Sequence, residues 1–546
     1  MPSYASLRRG LRYPGAPAAV TAGLLMLARC ALAQTGGEMD RHYPVTDPKN
    51  FTRIVATVGA GTITAQEFLL SYEFGPAFAK REKDSRERYL EFMIDEKLLA
   101  QDARDHGLAR SARVRRSLGV LEGDMASEEL YKDDVLSRVK LTPAEISRGV
   151  RDEQVHYALQ WLFAPDARAA GGLSSLLGDG TPFDTLLARQ IARGAKREDR
   201  SMAATLFGLR RTSPLLAAVA ETLRAGRPSL PVKGPDGYYI LRVADGWRDV
   251  TLSASETEKL AADARSALTQ EKADSLSDIY VRRMMLDRNP VIIRPAFDRL
   301  EAWLAGLWAK PAQTASWDVA VRVGIPRDSA GRSAIDSLAA DTLVSLSGRG
   351  TRRGISLGEF LAWYRARDTY FSLDLAGEQA FFLSVENLVW RMVRDALLVD
   401  RALRRNLQER EQVRAQMRWW EDKVLFGEEK LRLGSTIVLT DSAYRAYYDS
   451  NARSYRTDSG AVQPYANVKD QVRRDYYAFE LKTRMLHTLI ALKRKYAVDV
   501  KKEVLLGLPV DVENNPKAID VYVAKKGGTF PHPAFPVIDF EWATWM

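Results

Sequence analysis

Residues 53–74 read RIVATVGAGTITAQEFLLSYEF and residues 341–364 read DTLVSLSGRGTRRGISLGEFLAWY, and the fold turns on taking these as one pattern used twice. Each opens with a short aliphatic run (Ile54, Val55, Val58; Leu343, Val344, Leu346) closed by a glycine turn, which predicts a strand. Each continues with a hydroxyl and a glutamate three apart, Thr64 with Glu67 and Ser356 with Glu359. That is the spacing of a capping box, in which side chain and backbone satisfy each other's orphan groups at a helix start.

The stretches that follow keep the parallel. Leu90, Met93, Ile94 and Leu98 share one helical face, as do Leu388, Met392, Leu397 and Leu398. The first of these helices runs into Gly107 and Leu108, the second into Asn406 and Leu407. Gly and Asn are the residues that most readily adopt the left-handed conformation beyond a helix C-terminus, with the next Leu supplying its hydrophobic contact. A third pair, KLTPAEISRGVRDE from Lys140 and VLTDSAYRAYYDSN from Val438, also matches. Met93 and Met392 are 299 residues apart, and Thr142 and Thr440 are 298 apart. Two markers at nearly one offset predict an internal duplication of a helical unit, with too few copies for a solenoid.

Around this repeat, 546 residues with 46% hydrophobic and 27% charged content describe a globular chain of several domains. Residues 1–33 differ. Arg8, Arg9 and Arg12 precede an apolar run, and Ala31-Leu32-Ala33 fits a cleavage site, so this stretch reads as a secretory signal peptide cut after Ala33. The Arg8-Arg9 pair fits a twin-arginine signal less well. The one cysteine, Cys30, falls inside this leader, so a chain starting at Gln34 has no thiol for disulfides, zinc or nucleophilic catalysis. The leader holds four of the 80 basic residues and no acids, leaving 76 against 70, a balance of +6. Charges alternate in sign along helices (Arg86, Glu87, Arg88), as on a solvated face, and no basic stripe suggests nucleic acid. The five histidines are scattered, and no metal site is expected.

Taken in order, a first helical unit spans 34–155 and ends in a capping box at Thr142 and Glu145 with Pro143 in the first turn. Residues 156–250 break the helical rhythm. HYALQWLF is a buried strand, three helical stretches follow, and SLPVKGPDGYYILRV gives two strands around a glycine-rich turn. Residues 251–310 form a closing helix and linker. A second helical unit occupies 311–503 with no room for a second α/β insert, and 504–546 is a tail rich in proline and aromatic residues, read as extended. The expected fold class is mainly α with a small α+β module, the helical unit duplicated and one copy carrying a β-α-α-α-β-β domain.

The phrases TITAQEF, FMIDEKLLAQDARDHGL, KLTPAEI and GRPSLPV followed by GYYILRV, in this order and spacing, resemble the SurA/PpiC/PrsA group of exported chaperones, which carry parvulin-type peptidyl-prolyl isomerase domains. The resemblance covers about residues 54–286, and residues 342–503 look like the same helical unit without its insert. It implies a periplasmic chaperone that binds unfolded exported or outer-membrane polypeptides, with no cofactor and no transmembrane segment. Isomerisation of an X-Pro bond faces a barrier of roughly 18–20 kcal/mol, and lowering it requires groups that bind the twisted amide better than the planar one. The family's two catalytic histidines fall on Gln160 and Tyr239 here, and its glycine-rich phrase appears as SMAATLFG. The resemblance therefore implies a domain without catalytic residues that retains peptide binding, with Phe183, Phe207, Leu209 and Tyr239 as candidate groove residues. The doublets Trp419-Trp420, Tyr447-Tyr448 and Tyr476-Tyr477 read first as half-buried helix positions and second as a cradle for client strands. Two alternatives stand beside the chaperone: an active prolyl isomerase, and a fixed subunit of an envelope assembly docked through its tail.

Overall fold

In the computed structural model, residues 52–308, 339–510 and 535–545 are described, apart from short gaps at 81–83, 197, 235, 251–252, 351, 366–372, 375–377 and 458. The leader at 1–33, the first part of the second helical unit at 311–338 and most of the tail lie outside the described residues. The chain opens with β1 (Ile54–Val58), β2 (Gly61–Thr64), α1 (Ala65–Phe74), α2 (Ser85–Asp105), α3 (Ala112–Asp134) and α4 (Pro143–Glu153). Next come β3 (Val155–Ala164), α5 (Ala167–Gly178), α6 (Phe183–Ala192), β4 (Ser201–Thr205), α7 (Leu206–Thr212), α8 (Pro214–Thr222), β5 (Val232–Lys233) and β6 (Tyr238–Arg248). A long α9 (Ala254–Arg288), β7 (Pro290–Ile292) and α10 (Arg294–Trp308) lead to β8 (Thr342–Leu346), β9 (Gly354–Ser356), α11 (Leu357–Arg365), α12 (Glu378–Arg404) and α13 (Glu411–Ser435). The chain closes with α14 (Asp441–Asn451), α15 (Tyr465–Lys495), β10 (Val498–Val500), α16 (Lys502–Leu506) and α17 (Phe540–Trp545).

The fold is mainly α with a small α+β module, and the element order repeats: hairpin, four helices, a long closing helix and a short strand occur twice. The left-handed exits read from the sequence are present, with φ of +73° at Gly107 and +55° at Asn406. Capping boxes close at Thr142 with Glu145 and at Ser356 with Glu359, where each partner's backbone N–H is bound by the other's side chain. At Thr64 only half of the expected box exists. The Glu67 N–H donates to Thr64 Oγ1 at 3.2 Å, but the Glu67 carboxylate turns inward to Lys97, 2.9 Å away.

The chain divides into two compact units, Val139–Asp274 on the one hand and Tyr43–Arg138 with Ser275–Met546 on the other. The first is centred on an antiparallel sheet in the order β4-β3-β6-β5. It has more elements than the sequence pattern predicts, because Ser201–Thr205 pairs with β3 as an edge strand and a short helix, α7, follows it. Leu162 and Ile240 bury one sheet face against Phe183, Leu186 and Leu187 of α6. Leu159 and Val243 bury the other against α7 and α8. The unit extends beyond 156–250: a Cβ on Gly149 of α4 would stand 3.0 Å from Ala264 Cβ and 3.1 Å from the Phe207 ring, so glycine lets α4 lie close to α9 and α7.

In the second unit the two copies complete each other. The first hairpin takes its third strand from β10, at the end of the second copy. The second hairpin takes its third strand from β7, at the end of the first. The helices exchange in the same way, with α13 packed along α2 and α12 along α3. Lys97 reaches Asp422 at 2.6 Å, and Lys423 reaches Glu96 at 2.7 Å. One core joins β1, α1 and α2 to Trp419, Phe426, Leu481 and Met485. The other joins Leu130, Met284 and Met285 to β8, α11 and α12.

The described end of the tail is not a free extended segment. Phe535, Ile538 and Trp542 are buried in the first of these cores, and Lys430 pairs with Asp539 and Glu541 at 3.1 and 2.7 Å. An apolar cluster this dense has more to gain by burial than by exposure. Among the described residues no helix is long and apolar enough to cross a membrane.

Candidate functional site

The strand register decides what Gln160 and Tyr239 can do together. Gln160 pairs with Arg242, and Tyr239 pairs with Phe163. Partners across an antiparallel ladder share a face, and residues three apart on a strand do not. Gln160 therefore lies on the α6 face and Tyr239 on the opposite one. On the first face, Arg242 donates to Gln160 Oε1, pairs with Asp184 and stacks over the Phe183 ring at 4.4 Å. On the second, the Tyr239 hydroxyl donates to Asp236 at 2.6 Å, and its ring meets Phe163 edge-on at 5.4 Å. Burial and then the Asp236 hydrogen bond raise the Tyr239 pKa, so the phenol stays neutral.

The other groove candidates are core residues. Phe183 and Phe207 are each 5% exposed and Leu209 is fully buried. Phe183 belongs to the α6 face, whereas Leu209 packs on the α7–α8 face. No single concave surface displays all four. Where β3 runs past the end of β4, Gln190 fills the open edge: its amide donates to the Phe163 carbonyl at 2.8 Å and accepts from the Phe163 N–H at 3.1 Å. His156, early on the strand, stacks on Trp247 at 5.0 Å and meets Asp249 at 2.9 Å.

The larger unit carries an aromatic surface that is half-buried at Tyr444, Tyr447, Tyr448 and Tyr476 and open at Phe479. Tyr444, Tyr447 and Tyr448 fall on one side of α14, and Tyr476 and Phe479 on one side of α15. Tyr476 lies 5.5 Å from Tyr444 and 5.6 Å from Tyr447, which in turn is 5.6 Å from Phe479. Tyr476 also donates to the Val438 carbonyl at 3.2 Å, which brings the exposed Val438 and Leu439 to the same face. Phe479 is 51% exposed. Burial raises the pKa of Tyr447 and Tyr476, so these two phenols stay neutral, and Arg473 lies over the Tyr444 ring at 5.6 Å. Tyr and Trp combine an apolar ring with a polar tip, and contiguous patches of this kind are uncommon on the surface of a monomer. The doublets signalled part of it. The i, i+3 spacing of Tyr444 with Tyr447 and of Tyr476 with Phe479 is the signal that adds the rest.

Among the described residues, Asp102, His106 and Glu429 bring three ligand atoms within 4.8 Å of one another. Arg432 already supplies the cation, 3.5 Å from Asp102 and hydrogen-bonded to Glu429 at 2.9 and 3.0 Å. Burial, then the hydrogen bond with Glu429, raises the Asp102 pKa. That chemistry suits a structural acid pair.

The class defined by fold and surface is a duplicated, strand-exchanged helical protein with an inserted α+β unit and an aromatic patch on α14 and α15. No protein-family model and no curated protein matches the chain. Among solved structures, the crystal structure of PrsA from Bacillus subtilis aligns at 16% identity over 41% of this chain and 91% of that one, with a TM-score of 0.15. A likeness at that level carries no argument, and the functional reading rests on the geometry above.

Proposed function

We propose that this protein is an exported chaperone that holds unfolded polypeptides, and that it grips them through the aromatic face of Tyr444, Tyr447, Tyr476 and Phe479. This partly exposed cluster of rings, open at Phe479 and beside the exposed Val438 and Leu439, is the observation that carries the reading. Rigid aromatic rings offer contact area at little entropic cost to many sequences, which suits weak and broad recognition. The α+β unit is an accessory domain in this proposal. Catalysis of proline isomerisation is not part of it, since Gln160 and Tyr239 lie on opposite sheet faces and each is engaged by a neighbour. Export rests on the leader at residues 1–33, and N-terminal sequencing of the secreted product should begin at Gln34.

The test is light scattering of an unfolded outer-membrane client diluted from denaturant, with and without one equivalent of the purified chain. Suppression is expected, and the double substitution Tyr447→Ser with Phe479→Ser should raise the amount needed several-fold while leaving the far-UV spectrum unchanged. No suppression by the parent chain, or equal suppression by the variant, rules the proposal out.

A further inference from the structure

A cavity of about 750 Å³ in the larger unit lies between the end of α9, the β8–β9 turn and the end of α12. Arg288, Arg349, Arg401, Arg404 and Arg405 line it, with Asp287 and Asp400 as the only carboxylates in the lining. Five guanidiniums against two carboxylates leave the walls at +3. Arg405 is already tied to Asp133 and Asp134 at 3.0 and 2.9 Å, and Arg401 stacks over Tyr280 at 4.8 Å. Arg404 contacts Asp400 at 2.8 Å. Arg349 is exposed and has no ion-pair partner among the described residues.

Arg288 makes this a built site. It is 4% exposed, and its Nε and Nη1 have no hydrogen-bond acceptor among the described residues. Its Nη2 donates to the Arg352 carbonyl. Asp400 stands 3.6 Å from Nη1, too far for a hydrogen bond. The β8–β9 turn lies directly over the guanidinium: Gly350 has φ +144°, and a Cβ there would fall 1.8 Å from Nη1. A buried guanidinium with two unsatisfied nitrogens is costly unless an acceptor reaches it.

We infer that this cavity binds a phosphate group. Arginine forks match phosphate and carboxylate oxygens in bidentate geometry. With Arg405 answered by Asp133 and Asp134, the other four guanidiniums outnumber Asp287 and Asp400 by two, which favours phosphate, with up to two negative charges on one centre, over a single carboxylate. The phosphate arrives either as a free small polyanion or on a lipid headgroup. This site is separate from the aromatic face, and it stands or falls independently of the chaperone reading.

The experiment is calorimetric titration of the full chain at low salt with inorganic pyrophosphate and with succinate, beside flotation with phosphatidylglycerol and phosphatidylcholine vesicles. Pyrophosphate binding that exceeds succinate binding and weakens with added salt is expected. Arg349→Ala, on an exposed turn, should weaken it about tenfold or more. Gly350→Ala, which displaces the Arg288 guanidinium, should do the same, whereas Asp400→Asn should tighten it. Binding confined to phosphatidylglycerol vesicles and lost in Arg349→Ala assigns the same site to a headgroup phosphate. Absence of both, succinate equal to pyrophosphate, or binding unchanged by Arg349→Ala and Gly350→Ala overturns the inference.

Discussion

Replacing Lys97 by Met tests how the two copies are held together. Lys97 on α2 lies 2.9 Å from Glu67 and 2.6 Å from Asp422 on α13, with its side chain 9% exposed. Burial alone would push its ammonium down, but the two carboxylates outweigh that and hold its pKa above the ordinary range. Asp422 keeps Arg104 at 2.5 Å after the substitution; Glu67, buried and with its Oε2 unsatisfied, keeps no cation. Breaking one side of a buried pair costs about 3–5 kcal/mol. Protonation of Glu67 sets a ceiling on that cost. Burial has already raised its pKa above the ordinary 4.5, and losing Lys97 raises it further. At about 1.4 kcal/mol per pH unit, folding with a neutral Glu67 costs about 5 kcal/mol at pH 8 and about 2 kcal/mol at pH 6. The sign follows from linkage: the raised folded pKa leaves the variant least impaired near pH 4.5, and the deficit grows as pH rises. Guanidinium unfolding followed by tryptophan fluorescence, with Trp419 and Trp542 in the same core, reads this directly. Adding Glu67→Leu to Lys97→Met should restore most of the loss. A cost under about 1 kcal/mol at pH 8, or one that does not vary with pH, would refute the reasoning.

Four further outcomes are expected. Trp542→Ala, at a fully buried side chain, should cost about 3–5 kcal/mol, measured by the same unfolding curve. Asp105, held down to about 2 first by the hydrogen bond from Lys495 and then by Tyr496, contributes stability that is complete above its ordinary 3.8 and lost as pH falls toward 2; Asp105→Asn should flatten that acid limb in a pH series of thermal melts. Introducing Gln160→His with Tyr239→His should leave a protease-coupled proline-peptide assay at the buffer rate, because the register keeps the two positions on opposite faces. Residues 34–308 and 339–546 expressed apart should each lack full helicity by circular dichroism and recover it on mixing, since each hairpin draws its third strand from the other half.

What the sequence disclosed was local. The apolar faces of α2 and α12, the left-handed exits at Gly107 and Asn406, and the boxes at Thr142 and Ser356 follow from spacings of three or four residues, and such rules need no knowledge of the partner. The Thr64 box shows where such rules stop: a glutamate at the right spacing was claimed by Lys97 once burial made an ion pair worth more than a cap. The parity of Gln160 and Tyr239 depends on a register between strands about 80 residues apart, and one residue of slip would reverse it. Trp542 reads as one aromatic among five in a proline-rich tail, and only the core it shares with β1, α1 and α2 buries it. The strand exchange was invisible for the same reason, because VIIR and VDV each suit either hairpin by composition.

Each hairpin with its borrowed third strand forms a lobe, and exchange also explains how the arginine cavity arises in the second of them. A two-stranded hairpin is marginal by itself, so each must recruit a third strand, and recruitment brings the end of one copy's closing helix against the other copy's hairpin turn. Val498 pairs with Val58 and Pro290 with Leu346, which makes residue 496 the counterpart of residue 288. In the first lobe that position is Tyr496. Its ring fills the junction, 3.1 Å from where a Cβ on Gly59 would stand, and its hydroxyl donates to Asp105. In the second lobe the same position is Arg288, the facing carboxylate Asp400 stands back at 3.6 Å, and the space a tyrosine would close is left open between guanidiniums. The duplicated scaffold accounts for both junctions; the second leaves a buried guanidinium, paired at 3.6 Å with Asp400, whose Nε and Nη1 have no hydrogen-bond acceptor among the described residues.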